Sequence, residues 1–412
     1  MFDIKENEES ILKFWDDHKI FEKSVKRDPK LGDFSFYDGP PFATGLPHYG
    51  HIIASVLKDI VPRYKTMQGY RVERRWGWDC HGLPVENLIE QELGFKTKKD
   101  IEDYGVENFN NACKSSVLRY ADEWKKFIPR IGRWVDMEDD YKTMTPDFME
   151  SIWWVFKELY DKGLVYKGYK AMHICPRCET TLSNFEVTLG YKDVTDLSVT
   201  CKFKLKGKDN EYILGWTTTP WTLLGNVALA INKNVQYVKI KVENPKLKTI
   251  KSDEIYILAK DTLNNVLKDE EYTIIDEING EDLIGLEYEP LFDYFANDST
   301  IDNKKNGWKI YHGNFVTTTD GTGVVHIAPA FGEDDMNLGK EYNLPFIQHV
   351  KMNGYFTSQV KDFIGHEVKP KDNPSETDTM VVDFLTEKNR VFSKQKYLHS
   401  YPHCWRCDTP LL

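Results

Sequence analysis

The chain has 412 residues, of which 41% are hydrophobic, and its formal net charge at pH 7 is −11. No apolar run approaches the ~20 residues that a membrane-spanning helix requires, so a helical membrane protein is excluded. The length predicts two globular cores. The bulk acidity is not typical of nucleic-acid binding, although a local basic surface is enough for such contact. Residues 1–4 lack the basic and apolar regions of a secretion signal, which predicts a cytoplasmic location.

The first element in chain order is a helix predicted from about residue 8 to residue 24. Apolar residues recur along it at the helical period, so one stripe is expected to be buried. The residues of that stripe are Ile11, Trp15, Ile20 and Phe21.

The next segment, from Gly39 to Asp59, has two histidines three apart where a loop rich in glycine and proline becomes a helix. Residues 34–37 are predicted to form a short strand before the loop, and the helix is predicted to begin near His48. A helix N-terminus offers free N–H groups and a positive dipole end, which favour a bound anion.

Imidazoles at this N-terminus would add hydrogen-bond donors as charge develops on a phosphate. The pattern therefore predicts a phosphate site in which His48 and His51 are catalytic, with surface or helix-capping histidines as the alternative. The residues expected to stiffen the loop or to approach a flat ligand closely are Gly39, Pro40, Pro41, Gly45 and Gly50.

The run RRWGWDCHGLPVE, residues 74–86, predicts a strand that ends near Asp79, then a turn and a helix that opens near Pro84. Asp79 is either a carboxylate that faces a bound cation or the N-cap of that helix. A further helix is predicted from residue 146 to residue 163, with Thr145 as its N-cap. Its large apolar residues are expected in the core, and they are Trp153, Trp154, Phe156 and Leu159.

Seven cysteines include two CxxC pairs, Cys175 with Cys178 and Cys404 with Cys407. Four thiolates in two such pairs can hold a tetrahedral zinc ion, and the lack of a signal peptide favours structural zinc over disulfides. Because a long segment separates the pairs, a shared metal would join the two ends of an inserted domain. The other cysteines lack partners at ligand spacing and are expected to be neutral, buried thiols: Cys80, Cys113 and Cys201.

Between the cysteine pairs, residues 195–392 contain short β-prone runs separated by Gly, Asn and Asp turns, which predicts a β-rich domain. Two of its pieces carry chemistry: GWTTTPWTLL, residues 215–224, and GTGVVHIAPAFGEDD, residues 321–335. Threonine triplets and acidic turns are more often structural when they occur alone. The runs predicted as strands are Tyr212–Leu214, Val235–Ile240, Tyr256–Ala259 and Gly323–Ile327.

The sequence PHYGH, residues 47–51, resembles the HIGH signature of class I aminoacyl-tRNA synthetases, and GWDCHGLPVE is similar to the isoleucyl branch of that family. The resemblance implies a Rossmann-type nucleotide fold that activates isoleucine with ATP and Mg²⁺ and transfers it to tRNA(Ile). It also implies that Asp79 binds the ammonium group of the amino acid. The paired cysteines have a counterpart in the same branch.

The two pieces of the β-rich domain resemble the editing domain of the isoleucyl, valyl and leucyl synthetases. There the threonine strand holds the ester and the water, and the acid at the position of Asp335 anchors the ammonium group of the misattached residue. His326 is expected to line the pocket and to help reject the larger correct product. The residues implied in editing are Trp216, Thr217, Thr218, Thr219, Trp221, His326 and Asp335.

The need for editing follows from the small energy of one methylene group. Such a group gives only ~1–3 kcal/mol of discrimination, and the choice of isoleucine over valine by these synthetases is itself the standard example of that limit. A second, smaller pocket that admits valine and excludes isoleucine resolves the difficulty.

The predicted fold class is α/β, the first half of a Rossmann-type catalytic domain with an inserted β-rich editing domain. No sequence matches the second nucleotide signature, KMSKS, so an N-terminal fragment of a longer, monomeric enzyme is expected. The alternatives are a valyl enzyme and a free-standing editing or tRNA-binding module. The basic stretches considered for tRNA contact are residues 71–75, 96–99 and 119–133. The predicted domains are 1–165 for the catalytic half, 166–194 and 393–412 for the connectors with cysteine knuckles, and 195–392 for the editing domain.

Overall fold

The structure is a computed structural model that describes residues 3–412. The chain divides into two units, one that ends at Lys167 and one that begins at Gly168. The domain boundary expected at residue 165 lies close to this division, and the second unit contains both cysteine pairs together with the β-rich segment. Among residues 3–412, no helix has both the length and the apolar composition needed to cross a bilayer.

In the described part of the first unit, helices accompany a two-stranded parallel sheet, which is the predicted α/β arrangement. The elements of this unit are α1 (Ile4–Asp17), α2 (Ile20–Lys26), α3 (Tyr49–Gln68), β1 (Arg75–Trp78), α4 (Leu83–Leu93), α5 (Lys98–Tyr104), α6 (Val106–Ser116), α7 (Ala121–Arg130), β2 (Asp136–Lys142) and α8 (Pro146–Asp161). Parallel strands need a long crossover, and α4 to α7 lie between β1 and β2 in the chain. The core of this unit is aromatic, with the rings of Trp76, Trp78 and Trp124 in mutual contact.

Three predicted helix starts are confirmed. α3 begins after its N-cap, His48, and ends at Gly69, which has a left-handed φ of 110° that is common at helix ends. α4 begins directly after Gly82, and α8 begins directly after its N-cap, Thr145. The histidine pair therefore lies on the first turn of a 20-residue helix, as the sequence predicts.

The prediction of a strand at residues 34–37 is wrong. The segment before α3 pairs with neighbouring chain only at isolated bridges, from Asp33 to Arg71 and from Phe42 to Asp79. Between these bridges two consecutive prolines lack the N–H group that a ladder requires. The segment is a loop that is fastened at both ends.

The single helix predicted near the N-terminus is two helices, α1 and α2. The chain turns at Lys19, whose φ of 52° lies in the left-handed region that a continuing helix does not use. The stripe is also less buried than predicted, because Ile11 is 40% exposed and the other three residues of the stripe are only half-buried. Trp15 and Phe21 contact one ring, that of Trp134.

The placement of the α8 aromatics in a core is also wrong. Trp153, Trp154 and Phe156 are 67%, 62% and 57% exposed. α3 has a similar face, on which Ile53 and Leu57 are exposed. Full burial of such a side chain stabilises a fold by roughly 1.5–3 kcal/mol, so these faces contribute little to the stability of the described unit. Spacing identifies an apolar face but not whether another element covers it.

The second unit is built on a mixed sheet. Within the described residues its elements are β3 (Ile174–Cys175), β4 (Thr180–Thr181), α9 (Asn184–Thr188), β5 (Tyr191–Lys204), β6 (Glu211–Thr217), β7 (Ala228–Ile231), β8 (Gln236–Val242), β9 (Ile255–Ala259), α10 (Leu263–Leu267), β10 (Tyr272–Asn279), α11 (Gly280–Leu283), β11 (Lys309–His312), β12 (Val324–Ile327), α12 (Glu333–Glu341), α13 (Glu376–Glu387) and β13 (Val391–Pro402). Strands β5 to β13 form the sheet, with the order β10-β8-β9-β6-β12-β7-β11, and β5 pairs with β6 and β13. The four predicted runs fall on β6, β8, β9 and β12, and their ends agree with those of the strands to within three residues.

Two neighbours in this sheet, β6 and β12, run parallel, and Trp216 lies opposite Val325. The carboxyl ends of parallel strands meet at the same edge of a sheet. The threonine triplet follows β6 and the loop before α12 follows β12, so both chemically distinctive pieces emerge at one edge.

β5 and β13 form a long antiparallel ribbon that joins the start of the second unit to its end. Tyr191 lies opposite Pro402 at one end, and Cys201 lies opposite Val391 at the other. The inner end of this ribbon is buried in the core, and the outer end leads to the two cysteine knuckles.

A buried cation anchors the inner end of the ribbon. Lys202 has no exposed surface, and its Nζ donates to Glu254 Oε2 at 2.8 Å, to the carbonyl of Thr249 at 2.9 Å and to Asn389 Oδ1 at 3.0 Å. The Glu254 carboxylate also accepts from the hydroxyl of Tyr256 at 2.7 Å. Both charges of the buried pair are therefore fully hydrogen-bonded.

Replacement of Lys202 by methionine removes the cation and leaves Glu254 as an unpaired buried charge. We expect Lys202→Met to lower the free energy of unfolding of the second unit by roughly 3–5 kcal/mol, measured by urea denaturation. The matched control is Lys206→Met, because Lys206 pairs with Glu287 at the surface and should cost less than about 1 kcal/mol. Equal effects of the two substitutions would contradict this account of the ribbon.

Candidate functional sites

The predicted phosphate site lies at the N-terminus of α3, where both histidines cap the helix. His48 Nδ1 accepts a hydrogen bond from the N–H of Gly50 at 3.2 Å, and His51 Nδ1 accepts one from the N–H of His48 at 3.0 Å. The two rings lie 3.8 Å apart, and His51 meets the edge of the Trp124 ring. Because Nδ1 accepts in both rings, the neutral rings carry their protons on Nε2. Capping therefore occupies one nitrogen of each histidine and leaves an Nε2–H donor for a ligand.

Burial lowers the pKa of His51, and the neighbouring charges of His48 and Lys58 lower it further. The ring is therefore neutral at pH 7. A neutral imidazole at a helix N-terminus can donate its Nε2–H to an anion and so stabilise the negative charge that develops there.

The loop before α3 is held by buried charge. The Asp38 side chain is almost fully buried and pairs with Lys58 at 2.6 Å and with Arg133. Trp124 Nε1 donates to the carbonyl of Gly45 at 2.8 Å. These contacts fix the loop relative to α3 and α7, so the site is largely preformed.

The three glycines of the loop differ in whether the surrounding structure requires glycine at their position. A Cβ on Gly50 would lie 3.0 Å from Cε1 of His48, so the cap itself favours glycine there. Gly39 and Gly45 have no left-handed φ, and a Cβ added to either would meet no described atom within 4 Å. The described part of the chain therefore does not require glycine at these two positions. The open space beside them is where the predicted flat ligand would approach the backbone.

Asp79, at the end of β1, is tied to the same loop through its backbone. Its N–H donates to the carbonyl of Pro41, and its carbonyl accepts from the N–H of Ala43, both at 2.9 Å. Its carboxyl group is half-buried, and burial raises its pKa. The N-cap of α4 is Gly82, without a side-chain bond, so the alternative role of Asp79 as that cap is wrong. The side chain remains available for a cation.

The four paired cysteines meet in one cluster in the second unit. Their sulfur atoms all lie within 4.8 Å of one another, with Cys407 Sγ 3.5 Å from Cys175 Sγ and 3.7 Å from Cys178 Sγ. All four are free thiols in the structure, and these separations are far longer than the ~2.05 Å of a disulfide. Four sulfurs each ~2.3 Å from a tetrahedral metal would be ~3.8 Å apart, so the cluster fits a metal centre.

The local fold brings these knuckles together. β3 and β4 form a hairpin around the first pair, and Ile174 exchanges two backbone hydrogen bonds of 2.9 Å with Leu412 beside the second pair. Hydrogen bonds among the four groups lower the pKa of the Cys404 and Cys407 thiols and raise that of the Cys175 thiol. The second pair therefore favours the thiolate, the form that binds metal.

The three other cysteines lie apart from this cluster. Cys80 and Cys201 are buried and Cys113 is half-buried. Burial raises the pKa of all three thiols, and that of Cys113 reaches about 11. They are neutral thiols, as expected.

The threonines at the end of β6 form a chain of hydrogen bonds that reaches His326 on β12. Thr217 Oγ1 and Thr219 Oγ1 are 3.2 Å apart, and Thr219 Oγ1 and Thr222 Oγ1 are also 3.2 Å apart. Thr222 Oγ1 lies 2.8 Å from His326 Nε2. Burial lowers the pKa of His326 to about 4, so its ring is neutral at pH 7.

Asp335 lies on the first turn of α12, after the loop that follows β12. Its Oδ1 accepts from the N–H of Ala328 at 2.7 Å, which holds the carboxyl group against the end of β12. Burial raises its pKa to about 6. A Cβ on Gly332 would lie 2.3 Å from Asp335 Oδ2, so a side chain at this position would displace the Asp335 carboxylate. The threonines, His326 and Asp335 thus belong to one edge of the sheet.

Asp335 and three further predicted editing residues lie outside the hydrogen-bonded chain of the threonines and His326. Trp216 precedes Thr217 on β6, so its side chain points to the other face of the sheet, where it meets the ring of Tyr397. Trp221 is 3% exposed, and its ring packs against Phe331. Thr218 is half-buried between the bonded threonines.

Sequence reasoning missed two buried residues next to this edge. Thr222 lies in the same motif, three residues after the end of the threonine triplet. Its position as a fourth threonine close to the triplet was the signal that could have identified it. Asp378 Oδ1 accepts from the N–H of Trp221 at 3.1 Å, and Asp378 Oδ2 lies 3.7 Å from Nζ of the buried Lys369. No local pattern links Asp378 to residues so far away in the chain.

Two of the three basic stretches considered for tRNA contact, residues 71–75 and 119–133, are largely paired with acids. Arg71, Arg75, Arg119 and Arg130 each form an ion pair of 2.7–2.9 Å with an aspartate or glutamate. Arg74 is buried, and desolvation lowers its pKa to about 10. Such pairing reduces the positive potential that these stretches present.

The family model for tRNA synthetases class I (I, L, M and V) matches residues 10–395. The chain is 48% identical over 440 residues to the isoleucine–tRNA ligase of Treponema denticola, with all of this chain and 39% of that protein covered. It is 46% identical over 419 residues to the probable cytoplasmic isoleucine–tRNA ligase of Dictyostelium discoideum, with all of this chain and 38% of that protein covered. Among solved structures, the LeuRS of Agrobacterium radiobacter K84, in a ternary complex with tRNA and LeuAMS, aligns at 18% identity with a TM-score of 0.34, covering 100% of this chain and 52% of that one.

The chain thus spans about 39% of the length of the Treponema relative. The family match includes the histidine-capped helix, Asp79, the threonine strand and Asp335. With this match over most of its residues, the chain belongs to the class I tRNA synthetases of the I, L, M and V group.

Proposed function

We propose that this chain is part of an isoleucine–tRNA ligase that activates isoleucine with ATP, transfers it to tRNA(Ile) and hydrolyses valyl-tRNA(Ile). The observation that carries the proposal is the presence of two chemically different sites in two units. A helix N-terminus with paired imidazoles suits phosphate, and a sheet edge with threonines, His326 and Asp335 suits an aminoacyl ester. The relatives named isoleucine–tRNA ligase support isoleucine over the valyl alternative.

In the first site, the Nε2–H groups of His48 and His51 would donate to the phosphates of ATP, which binds with Mg²⁺. Gly39, Gly45 and the stiff prolines between them would let the nucleotide lie against the loop backbone. Asp79 would hold the ammonium group of isoleucine, so that its carboxylate can attack the α-phosphate and release pyrophosphate. The charge that develops on the phosphate is what the imidazoles would stabilise.

The capping geometry allows the role of His51 in catalysis to be separated from its role in the helix. We expect His51→Gln, whose amide can still accept from the N–H of His48, to keep the helix cap but to lower isoleucine-dependent ATP–pyrophosphate exchange on the order of 10²-fold. His51→Ala should lower the rate at least as much and also destabilise α3. The measurement is exchange by the full-length protein at saturating ATP, and wild-type exchange by the glutamine variant would assign His51 to structure alone.

In the second site, Asp335 would pair with the ammonium group of a misattached valine. The threonines would then place a water molecule against the ester carbonyl. Water adds to that carbon, the bond to the ribose oxygen breaks, and the ribose oxygen takes up the proton that the water loses. No cofactor is needed, because an aminoacyl ester is already activated.

Asp335→Asn keeps the oxygen that accepts from Ala328 and removes the negative charge, so it isolates the proposed ion pair. We expect kcat/KM for deacylation of valyl-tRNA(Ile) by this chain to fall on the order of 10²-fold. Because burial raises the pKa of Asp335 to about 6, its carboxylate is lost as the pH falls through 6, so the wild-type KM should rise there and that of the variant should not.

The matched control for this substitution is Asp334→Asn, on the same turn of α12 but exposed. It should deacylate valyl-tRNA(Ile) at the wild-type rate. If Asp335→Asn also did so, with unchanged circular dichroism, Asp335 would not be the ammonium anchor.

The cysteine cluster would hold one structural zinc ion, with Cys175, Cys178, Cys404 and Cys407 as the four ligands. Zinc accepts four thiolates in a closed tetrahedral site and supplies no reaction there. Its effect would be to fasten the two ends of the inserted segment to each other.

We therefore expect about one zinc per chain by elemental analysis. The double variant Cys404→Ser/Cys407→Ser should lose the metal and become sensitive to proteases near residues 176–190, while the β-rich core remains folded. Cys113→Ser is the control and should retain full zinc. Full zinc content in the double variant would rule out a site shared by both pairs.

The proposal also implies tRNA(Ile), L-isoleucine and ATP as partners of a monomeric, cytoplasmic enzyme. The name of the Dictyostelium relative supports the location. The ion pairs along residues 71–75 and 119–133 argue that tRNA contacts depend on other residues as well.

A further inference from the structure

The hydroxyl of Thr222 is the junction of the hydrogen bonds at the proposed hydrolytic edge. It lies 2.7 Å from the carbonyl of Thr219, 3.2 Å from Thr219 Oγ1 and 2.8 Å from His326 Nε2. Thr222 is 5% exposed and His326 is 7% exposed, so solvent does not compete strongly for these bonds. A hydroxyl group has one proton and two lone pairs, which limits how the bonds can be arranged.

A carbonyl oxygen only accepts, so the contact of 2.7 Å with Thr219 requires the single Thr222 proton. Thr222 Oγ1 must then accept from the other two neighbours, and His326 Nε2 has to carry a proton. The opposite arrangement would leave two oxygens 2.7 Å apart without a hydrogen between them. It would also place an N–H on His326 Nδ1, a buried atom with no hydrogen-bond partner among the described residues.

The positions of the hydroxyl protons of Thr217 and Thr219 follow from the same reasoning. Thr217 Oγ1 accepts from the N–H of Thr219 at 3.1 Å, so its own proton can be donated to Thr219 Oγ1. Thr219 Oγ1 in turn donates to Thr222 Oγ1. The chain of hydroxyls therefore has one direction and ends at Thr222, where it meets the N–H of His326.

We propose that Thr222 is a positioning residue of this edge: it holds His326 in the tautomer with the proton on Nε2 and leaves Nδ1 as an acceptor for an O–H group. The inference rests on the proposed hydrolytic function. A buried acceptor without a partner is costly, and a donor from the substrate complex removes that cost. The donor is either the attacking water or the ribose hydroxyl next to the ester. A buried, weakly basic imidazole orients this donor and does not remove its proton.

The test compares Thr222→Val, which keeps the shape and removes the hydroxyl, with Thr222→Ser, which restores it. We expect Thr222→Val to lower kcat for deacylation of valyl-tRNA(Ile) by about tenfold with little change in KM, and Thr222→Ser to recover most of the rate. The control is Thr386→Val on α13, whose hydroxyl also bonds within its own helix and should leave the rate unchanged. Wild-type kcat in Thr222→Val would overturn the inference.

A second readout needs no substrate. In the chain labelled with ¹⁵N-histidine, NMR should show His326 with a protonated Nε2 and an unprotonated Nδ1 in the wild type and in Thr222→Ser, and a mixture of tautomers in Thr222→Val. His326→Gln identifies the signals. A proton on Nδ1 in the wild type would overturn the inference, whereas a chain with the expected tautomer but no deacylase activity would overturn the proposed function instead.

The source of the donor is resolved by a valyl-tRNA(Ile) whose terminal adenosine lacks the hydroxyl next to the ester. If that hydroxyl is the donor, this substrate reacts slowly with the wild type and Thr222→Val causes no further loss. If water is the donor, Thr222→Val causes the same loss with both substrates. Either result is consistent with Nδ1 as the acceptor and identifies the group that donates to it.

Discussion

The antiparallel pairing of β5 with β13 is the constraint on which the second unit depends. It returns the chain to its starting point after the whole inserted segment and sets two distant sequences side by side in a fixed register. Beyond its outer end, the N–H of His403 donates to the carbonyl of Gly190 at 2.8 Å, so the backbones remain in contact up to the second knuckle. A Cβ on Gly190 would lie 1.9 Å from the carbonyl oxygen of His403, which makes glycine necessary at this junction. The cysteine cluster is thus a consequence of the ribbon as much as a support for it.

The two candidate sites use polarity in opposite ways. In the first unit, a half-buried carboxylate and two Nε2–H donors have no hydrogen-bond partner among the described residues, as expected for groups that meet a charged ligand. In the second unit, hydroxyls and a neutral imidazole hydrogen-bond to one another, and an acid of raised pKa is held by the backbone N–H of Ala328. Ordering of that kind costs conformational entropy during folding and saves it when a substrate binds. It suits a reaction in which geometry, not a strong base, lowers the barrier.

Local signals predicted local features well. The start of α3 at His48, the helix after Thr145 and the four strand runs all depend on caps, turns and periodicity within a few residues. The exposure of the apolar face of α8 could not be predicted. A period of 3.6 identifies an apolar face but does not show whether another element packs against it. Lys19 could not be recognised as the break between two helices, since lysine has no preference for a left-handed φ. Asp378 and Lys369 escaped notice because their meeting depends on the folding of distant segments.

The convergence of four sulfurs also has a redox consequence. Thiols within 4.8 Å of one another are each other's nearest oxidation partners whenever no metal holds them. With a two-electron oxidant, the thiols of Cys175 and Cys407 would lose two protons and two electrons and form a disulfide, which would close a loop between residues 232 positions apart and withdraw two ligands at once. The first chemical damage to a chain deprived of metal would therefore be a crosslink that fixes the knuckles together and prevents the metal from returning. In a reducing compartment this reaction is reversible, so metal supply and thiol redox balance would act on the same four atoms.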